Sequence, residues 1–226
     1  MWNFLGAYRG LCDRGIGEAH PRQRLLSGKR RVWLVSQHLH RFYRLQDSPF
    51  QGGASDREPG LSYEYWEPTW CQPLPPGNWS PTFWAWFLFD RLRVFRSNGY
   101  GVFLISQGRK VIHRSCIFPA FFRFPFMKEG DLQVGYLWTD PCARGKGLAT
   151  AALREICQRV AGTGISLWYL VEETNAASIR VVEKAGFELV GFGQKHPRLG
   201  VVFLGYYAID QFGSVAPNNP RPLNGK

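Results

Sequence analysis

Gly135-Tyr136-Leu137-Trp138-Thr139-Asp140-Pro141-Cys142-Ala143-Arg144-Gly145-Lys146-Gly147-Leu148-Ala149 reads as a strand, a tight turn and the start of a helix. Glycines at 145 and 147 let successive backbone N–H groups approach an anion, the following helix points its positive end at it, and Arg144 and Lys146 add charge. That is a pyrophosphate cradle. A Gly-Lys-Gly alone also marks ordinary turns, but here it stands between a strand and an Ala-rich helix, the context such a site needs. Gly-x-x-x-x-Gly-Lys-Ser/Thr and Gly-x-Gly-x-x-Gly are both absent, so it is neither a Walker loop nor a Rossmann fingerprint.

Downstream, Ala152, Leu153, Ile156 and Val160 form the apolar stripe of a helix from Leu148 to Val160, which Gly162 and Gly164 end. A strand is expected over Ile165 to Val171. Asn175 to Ala185 reads as a helix capped by Asn175 and stopped at Gly186, followed by a strand pair, Phe187 to Gly193 and Val201 to Ile209. Upstream, Tyr100 to Gln107 and Val111 to Phe118 form a hairpin about Gly108-Arg109-Lys110, with a third strand over Asp131 to Thr139. Ser80 is placed to cap a helix with Pro81 at its first position. Phe83, Trp84, Phe87, Leu88, Leu92 and Phe95 then recur at helical spacing up to Asn98-Gly99, and this helix is read as core. Gln51 to Gly77 reads as a long loop with at most a short strand near Tyr63 to Trp66.

The chain has 226 residues, which suits one large domain with extensions. The expected division is an extension over 1–30, a single domain over 31–213 whose first apolar segment is Val32 to Val35, and a mobile tail over 214–226. At 45% apolar and 20% charged residues, whole-chain disorder is excluded. No apolar run reaches the roughly 20 residues of a membrane span, and no secretion signal is evident, so the expected location is the cytoplasm. Five scattered cysteines without a Cys-x-x-Cys pair, and His38 with His40 lacking further ligands, leave no metal expected. The balance of 28 basic against 17 acidic residues, net +11, favours an anionic ligand; no nucleic-acid recognition signature accompanies it.

The stretch Arg144 to Ala149 resembles the acyl-CoA motif Arg/Gln-x-x-Gly-x-Gly/Ala of the GNAT superfamily of N-acyltransferases. Asn175-Ala176-Ala177-Ser178-Ile179-Arg180-Val181-Val182-Glu183-Lys184-Ala185-Gly186-Phe187 resembles its second motif, an Asn, a helix and Gly-Phe. The likeness covers roughly 100 to 209. It implies an α+β fold with a central mixed, mostly antiparallel twisted sheet flanked by helices. It further implies acetyl-CoA or another acyl-CoA as co-substrate, with its pyrophosphate on the backbone of Arg144, Gly145, Lys146, Gly147, Leu148 and Ala149, and its pantetheine arm along Leu137, Trp138 and Thr139. Asn175 would contact CoA and Ser178 would lie near the thiol. Many members protonate the departing thiolate with a tyrosine; the matching position here is Val182, and the Asn-x-x-Ser pattern is similar to the ribosomal-protein acetyltransferases, in which that serine can serve as acid.

For Asn175 and Ser178 the competing reading is plain helix capping. The acceptor ammonium must lose a proton, so a histidine or carboxylate is needed, and His113 and Asp131 are the candidates. His113 also suits a satisfied core histidine, and Asp131 a turn cap after Gly130. The segment from His113 to Met127, rich in aromatics, resembles family members of bacterial polysaccharide biosynthesis. With Arg114 and Arg123 it suits a nucleotide-linked amino sugar, through ring stacking and arginine pairing with phosphate; an aromatic core is the alternative. The expected partner is therefore a small-molecule amine, with a homodimer allowed. A protein N-terminus as acceptor and a non-catalytic acyl-CoA sensor are the other two readings.

Overall fold

A computed structural model describes residues 39–46, 57–77, 80–97, 99–198 and 201–213. The expected extension over 1–30, the apolar segment Val32 to Val35, His38, Asn98 and the tail lie outside the described residues.

The hairpin forms as expected: β3 (Gly101–Gln107) and β4 (Lys110–Pro119) pair antiparallel, with Gly108 at φ 59° in the turn. β2 (Leu61–Trp66) adds to β3, and β5 (Leu132–Thr139) to the far side of β4. α2 (Leu148–Val160) buries Leu148, Ala152, Leu153, Ile156 and Cys157 against one face of this sheet. Truncating the fully buried Leu153 to Ala would cost about 2–5 kcal/mol in lost transfer energy plus the cavity left behind. β6 (Leu167–Glu172) and α3 (Ala176–Lys184) follow, then the hairpin of β7 (Glu188–Arg198) and β8 (Val201–Phe212), whose strands run further than the sequence pattern indicates.

With a first strand, β1 (His40–Leu45), the eight strands of the described residues lie in the order β2-β3-β4-β5-β6-β1-β7-β8, and β5 and β6 are the one parallel pair among them. This is the mixed, mostly antiparallel sheet flanked by helices that was expected. β1 (His40–Leu45) had no strand of its own in the sequence reading, yet it sits between β6 and β7 and pairs antiparallel with both. Phe42 and Tyr43 are fully buried there. Its arginines are compensated where they emerge: Arg41 pairs with Glu173 at 3.3 Å, and Arg44 donates to Ser166 Oγ at 3.0 Å while lying over the Trp168 ring. The Tyr43 hydroxyl donates to Glu183 Oε1 at 2.8 Å, tying β1 to α3.

α1 (Thr82–Arg91) corrects two expectations. It ends well before Asn98-Gly99, with Arg93 in the left-handed region at φ 54°, and Phe95 is buried outside it. Phe83 and Trp86 are buried in the core and Phe89 packs against it, whereas Trp84, Leu88 and Leu92 are 48%, 53% and 64% exposed. Almost every position of TFWAWFLFDR is apolar, so periodicity cannot choose the buried face.

Candidate functional site

β5 and β6 pair only from Leu132↔Leu167 to Val134↔Tyr169. Beyond that, β5 stays on β4 as far as Thr139↔His113, while β6 stays on β1 as far as Glu172↔His40. A wedge therefore opens between two strands of the same sheet. The divergence begins where a bulge in the β4–β5 register falls between Arg114 and Cys116, and Tyr136 takes up φ 50°. A bulky residue rarely adopts that conformation, and such strain gathers at functional sites. Leu137, Trp138 and Thr139 form the β5 edge of the wedge.

At its mouth the chain turns into the glycine loop. Asp140 caps a short turn of 3-10 helix, Pro141–Ala143, by accepting from the Cys142 N–H at 2.9 Å. Lys110 Nζ lies 2.7 Å from Asp140 Oδ2; that bond, with the Cys142 N–H, holds the carboxyl below the usual carboxylate range. Arg144 donates from Nε to the Thr139 carbonyl at 3.2 Å. Gly145 and Gly147 have φ of 79° and 78°, and Gly147 caps α2. Residues 144 to 147 are exposed, and among the described residues nothing accepts from the backbone N–H of Gly145, Lys146 or Gly147. A Cβ on either glycine would enter open space. Unmet N–H donors, a helix N-terminus and two cations fit a pyrophosphate. Leu148 is buried and Ala149 half-buried, so these two would contribute through the backbone.

Across the wedge, Asn175 Oδ1 accepts from the Ser178 N–H at 3.1 Å, so the capping interaction is made. The Ser178 side chain also has a neighbour that sequence reasoning missed: Tyr169, a buried β6 tyrosine whose hydroxyl burial pushes up to about 12 while Ser178 acts the other way. Val182 is fully buried in the core between α3 and the sheet.

Both base candidates have their polar atoms engaged by protein partners. His113 has no exposed surface; Nδ1 is 2.8 Å from Thr139 Oγ1, Nε2 is 2.9 Å from Ser115 Oγ, and burial holds its pKa down to about 4. Asp131 precedes β5 at the end remote from the glycine loop. Its Oδ2 accepts from the Lys128 N–H and Trp168 Nε1, and its Oδ1 from the Ser166 N–H, at 3.1, 2.9 and 3.3 Å. Those bonds latch the turn after Gly130 to the start of β6. Arg114 belongs to β4, not to the aromatic loop, and its guanidinium lies over the Phe83 and Trp138 rings at 5.5 and 5.1 Å. Arg123 is in the loop between β4 and β5, hydrogen-bonded to the strained Tyr136. Aromatic packing also prevails there: Phe121, Phe124 and Met127 are buried in the second core.

The sequence profile described as the Acetyltransferase (GNAT) family matches residues 39–187. The chain belongs to the GNAT acetyltransferase family. Its sheet and helices are the GNAT fold, and the matched region takes in β1, the wedge and both motifs. No curated protein matches the chain. Among solved structures it is similar to a GNAT-family protein from Novosphingobium aromaticivorans, at 16% identity and TM-score 0.45 over 70% of this chain and 62% of that one. A GCN5-related N-acetyltransferase-like protein from Streptococcus suis gives 14% and 0.44 over 71% and 62%. A tandem GNAT protein from the clavulanic acid biosynthesis pathway gives 15% and 0.46 over 68% and 52%. The chain thus spans less than two thirds of each. No described helix is long and apolar enough to cross a membrane.

Proposed function

We propose that this GNAT protein transfers an acetyl or short acyl group from acyl-CoA to a primary amine of a small molecule, with a nucleotide-linked amino sugar as the first acceptor to try. The observation that carries this reading is the wedge between β5 and β6, which opens directly onto a loop of unpartnered N–H groups. Acyl-CoA as second substrate supplies an activated thioester. The loop from Arg144 to Ala149 holds its pyrophosphate, and the free edge of Leu137 to Thr139 lines its arm and orients it. Ser178 stands at the start of α3, where its hydroxyl can give a proton to the departing thiolate and take one back from solvent. His113 and Asp131 hold the frame: one is enclosed between two hydroxyls, the other has both oxygens engaged.

Buried Val182, which leaves no tyrosine at the family's acid position, favours a second reading as an acyl-CoA sensor. Mass spectrometry of products from an amine panel, including nucleotide-linked amino sugars and peptides with free N-termini, offered with several acyl-CoAs, tests both. Release of free thiol with an acylated small amine supports transfer. Acyl-CoA binding without turnover on any amine leaves the sensor, and acylation of peptides alone would move the acceptor to a protein N-terminus.

A further inference from the structure

The face of the sheet opposite α2 and α3 carries a row of polar groups beside the wedge. Trp168 and Leu170 of β6 pack on this face, while Leu167, Tyr169 and Val171 pack on the other, so strand alternation puts Glu172 on it as well. His40 is the cross-strand neighbour of Glu172, and its ring meets that of Tyr207 edge-on at 5.0 Å. The strand between them contributes Gly193, where a Cβ would run into the Ala208 carbonyl and the Phe42 ring, so only glycine fits there. Tyr207 pairs with Lys195, whose Nζ lies 6.0 Å from its ring centre, and the Tyr207 N–H donates to the Arg123 carbonyl at 2.9 Å.

We propose that this row is the acceptor subsite, with Glu172 taking the amine and Arg123 with Lys195 taking an anionic group, a phosphate or a carboxylate, on the same small molecule. The inference rests on the acyl-transfer reading and deepens it. Tyr207 stands between the two ends and interacts electrostatically with Glu172 on one side and Arg123 on the other. Among the described residues neither Glu172 nor Lys195 has an ion-pair partner. Two neighbouring cations in a half-buried place repel each other, and an anion between them turns that cost into binding. Burial and the nearby Arg123 both hold the Lys195 ammonium below its ordinary pKa, as expected of a cation awaiting its counter-charge. Glu172 ends β6 where β5 has already diverged, so an amine held there faces the wedge, and the carboxylate can accept its proton.

The test uses matched amines, such as ethanolamine with phosphoethanolamine and an amino sugar with its phosphate and its uronic acid. Titration of inorganic phosphate into the CoA-saturated protein is the readout independent of turnover, because CoA then fills the glycine loop. The proposal expects at least ten-fold higher kcat/KM for the anionic member of each pair. Lys195→Gln should cut that preference several-fold through the KM of the anionic acceptor alone and weaken phosphate binding in the CoA complex. Glu172→Gln should lower kcat on all amines while leaving the KM of acyl-CoA unchanged. Preference for the phosphate or for the carboxylate identifies the source of the charge. Equal rates on charged and neutral amines, or phosphate binding unchanged in Lys195→Gln, would overturn the subsite. Failure of CoA to bind, or the absence of turnover on every amine while Lys195-dependent phosphate binding persists, would count against the transfer reading instead.

Discussion

His113 Nδ1 lies 2.8 Å from Thr139 Oγ1, so the last residue of β5 before the glycine loop is fastened to a buried imidazole. Desolvation holds that ring neutral, with a pKa near 4 against an ordinary 6.5. The unfolded chain therefore binds the proton first as acid is added. The resulting stabilisation is complete above pH 6.5 and is lost as the pH falls towards 4, for a total of roughly 3 kcal/mol. Urea unfolding of the wild type should show this decline, and His113→Gln should flatten it by about one proton. An unchanged slope in the variant would mean that His113 is not the titrating group.

Gly147→Trp should abolish the thermal stabilisation by acetyl-CoA, since the new side chain stands in the open space that the unpartnered N–H groups face. Left-handed backbone at φ 78° adds a cost of about 1–2 kcal/mol for any side chain. Circular dichroism separates that strain from loss of the site. A CoA dissociation constant equal to that of wild type would remove the loop from the cofactor assignment.

Ser178→Ala should lower kcat by ten-fold or more with little change in the KM of acyl-CoA, because an acid acts only as the thiolate departs. Tyr169→Phe should lower the same parameter by a smaller factor, since it removes only a hydroxyl neighbouring Ser178. If kcat is untouched in both, the Asn175–Ser178 pairing is a helix cap and nothing more.

Cys142 is exposed beside the glycine loop, whereas Cys116 and Cys157 are buried, with thiols that burial pushes up to about 12. Iodoacetamide should therefore label Cys142 and Cys71 and spare the buried pair. Acyl-CoA should slow labelling at Cys142 by several-fold and leave Cys71 unaffected, as peptide mapping by mass spectrometry would show. Equal protection at the two sites would point to a general change in the chain.

The sequence by itself determined the elements whose signals are local. α2 is legible from Leu148 to Val160, and the β3–β4 turn from Gly108, because a 3.6-residue stripe and a glycine of positive φ are written in adjacent positions. The glycine loop proposed to hold the pyrophosphate is legible for the same reason: its N–H groups come from one unbroken stretch of backbone. The tertiary structure alone decided the place of β1, since His40–Leu45 sets Arg41 and Arg44 around the adjacent pair Phe42-Tyr43, without a polar–apolar alternation, and finds both neighbouring strands far along the chain. Packing, too, chose which side of the largely apolar α1 is buried, and it enclosed His113, which spacing left open as a base or a core residue. The row of Glu172, His40, Tyr207 and Lys195 is assembled from β6, β1, β8 and β7; each residue is ordinary in its own strand, and only sheet order and register make them neighbours.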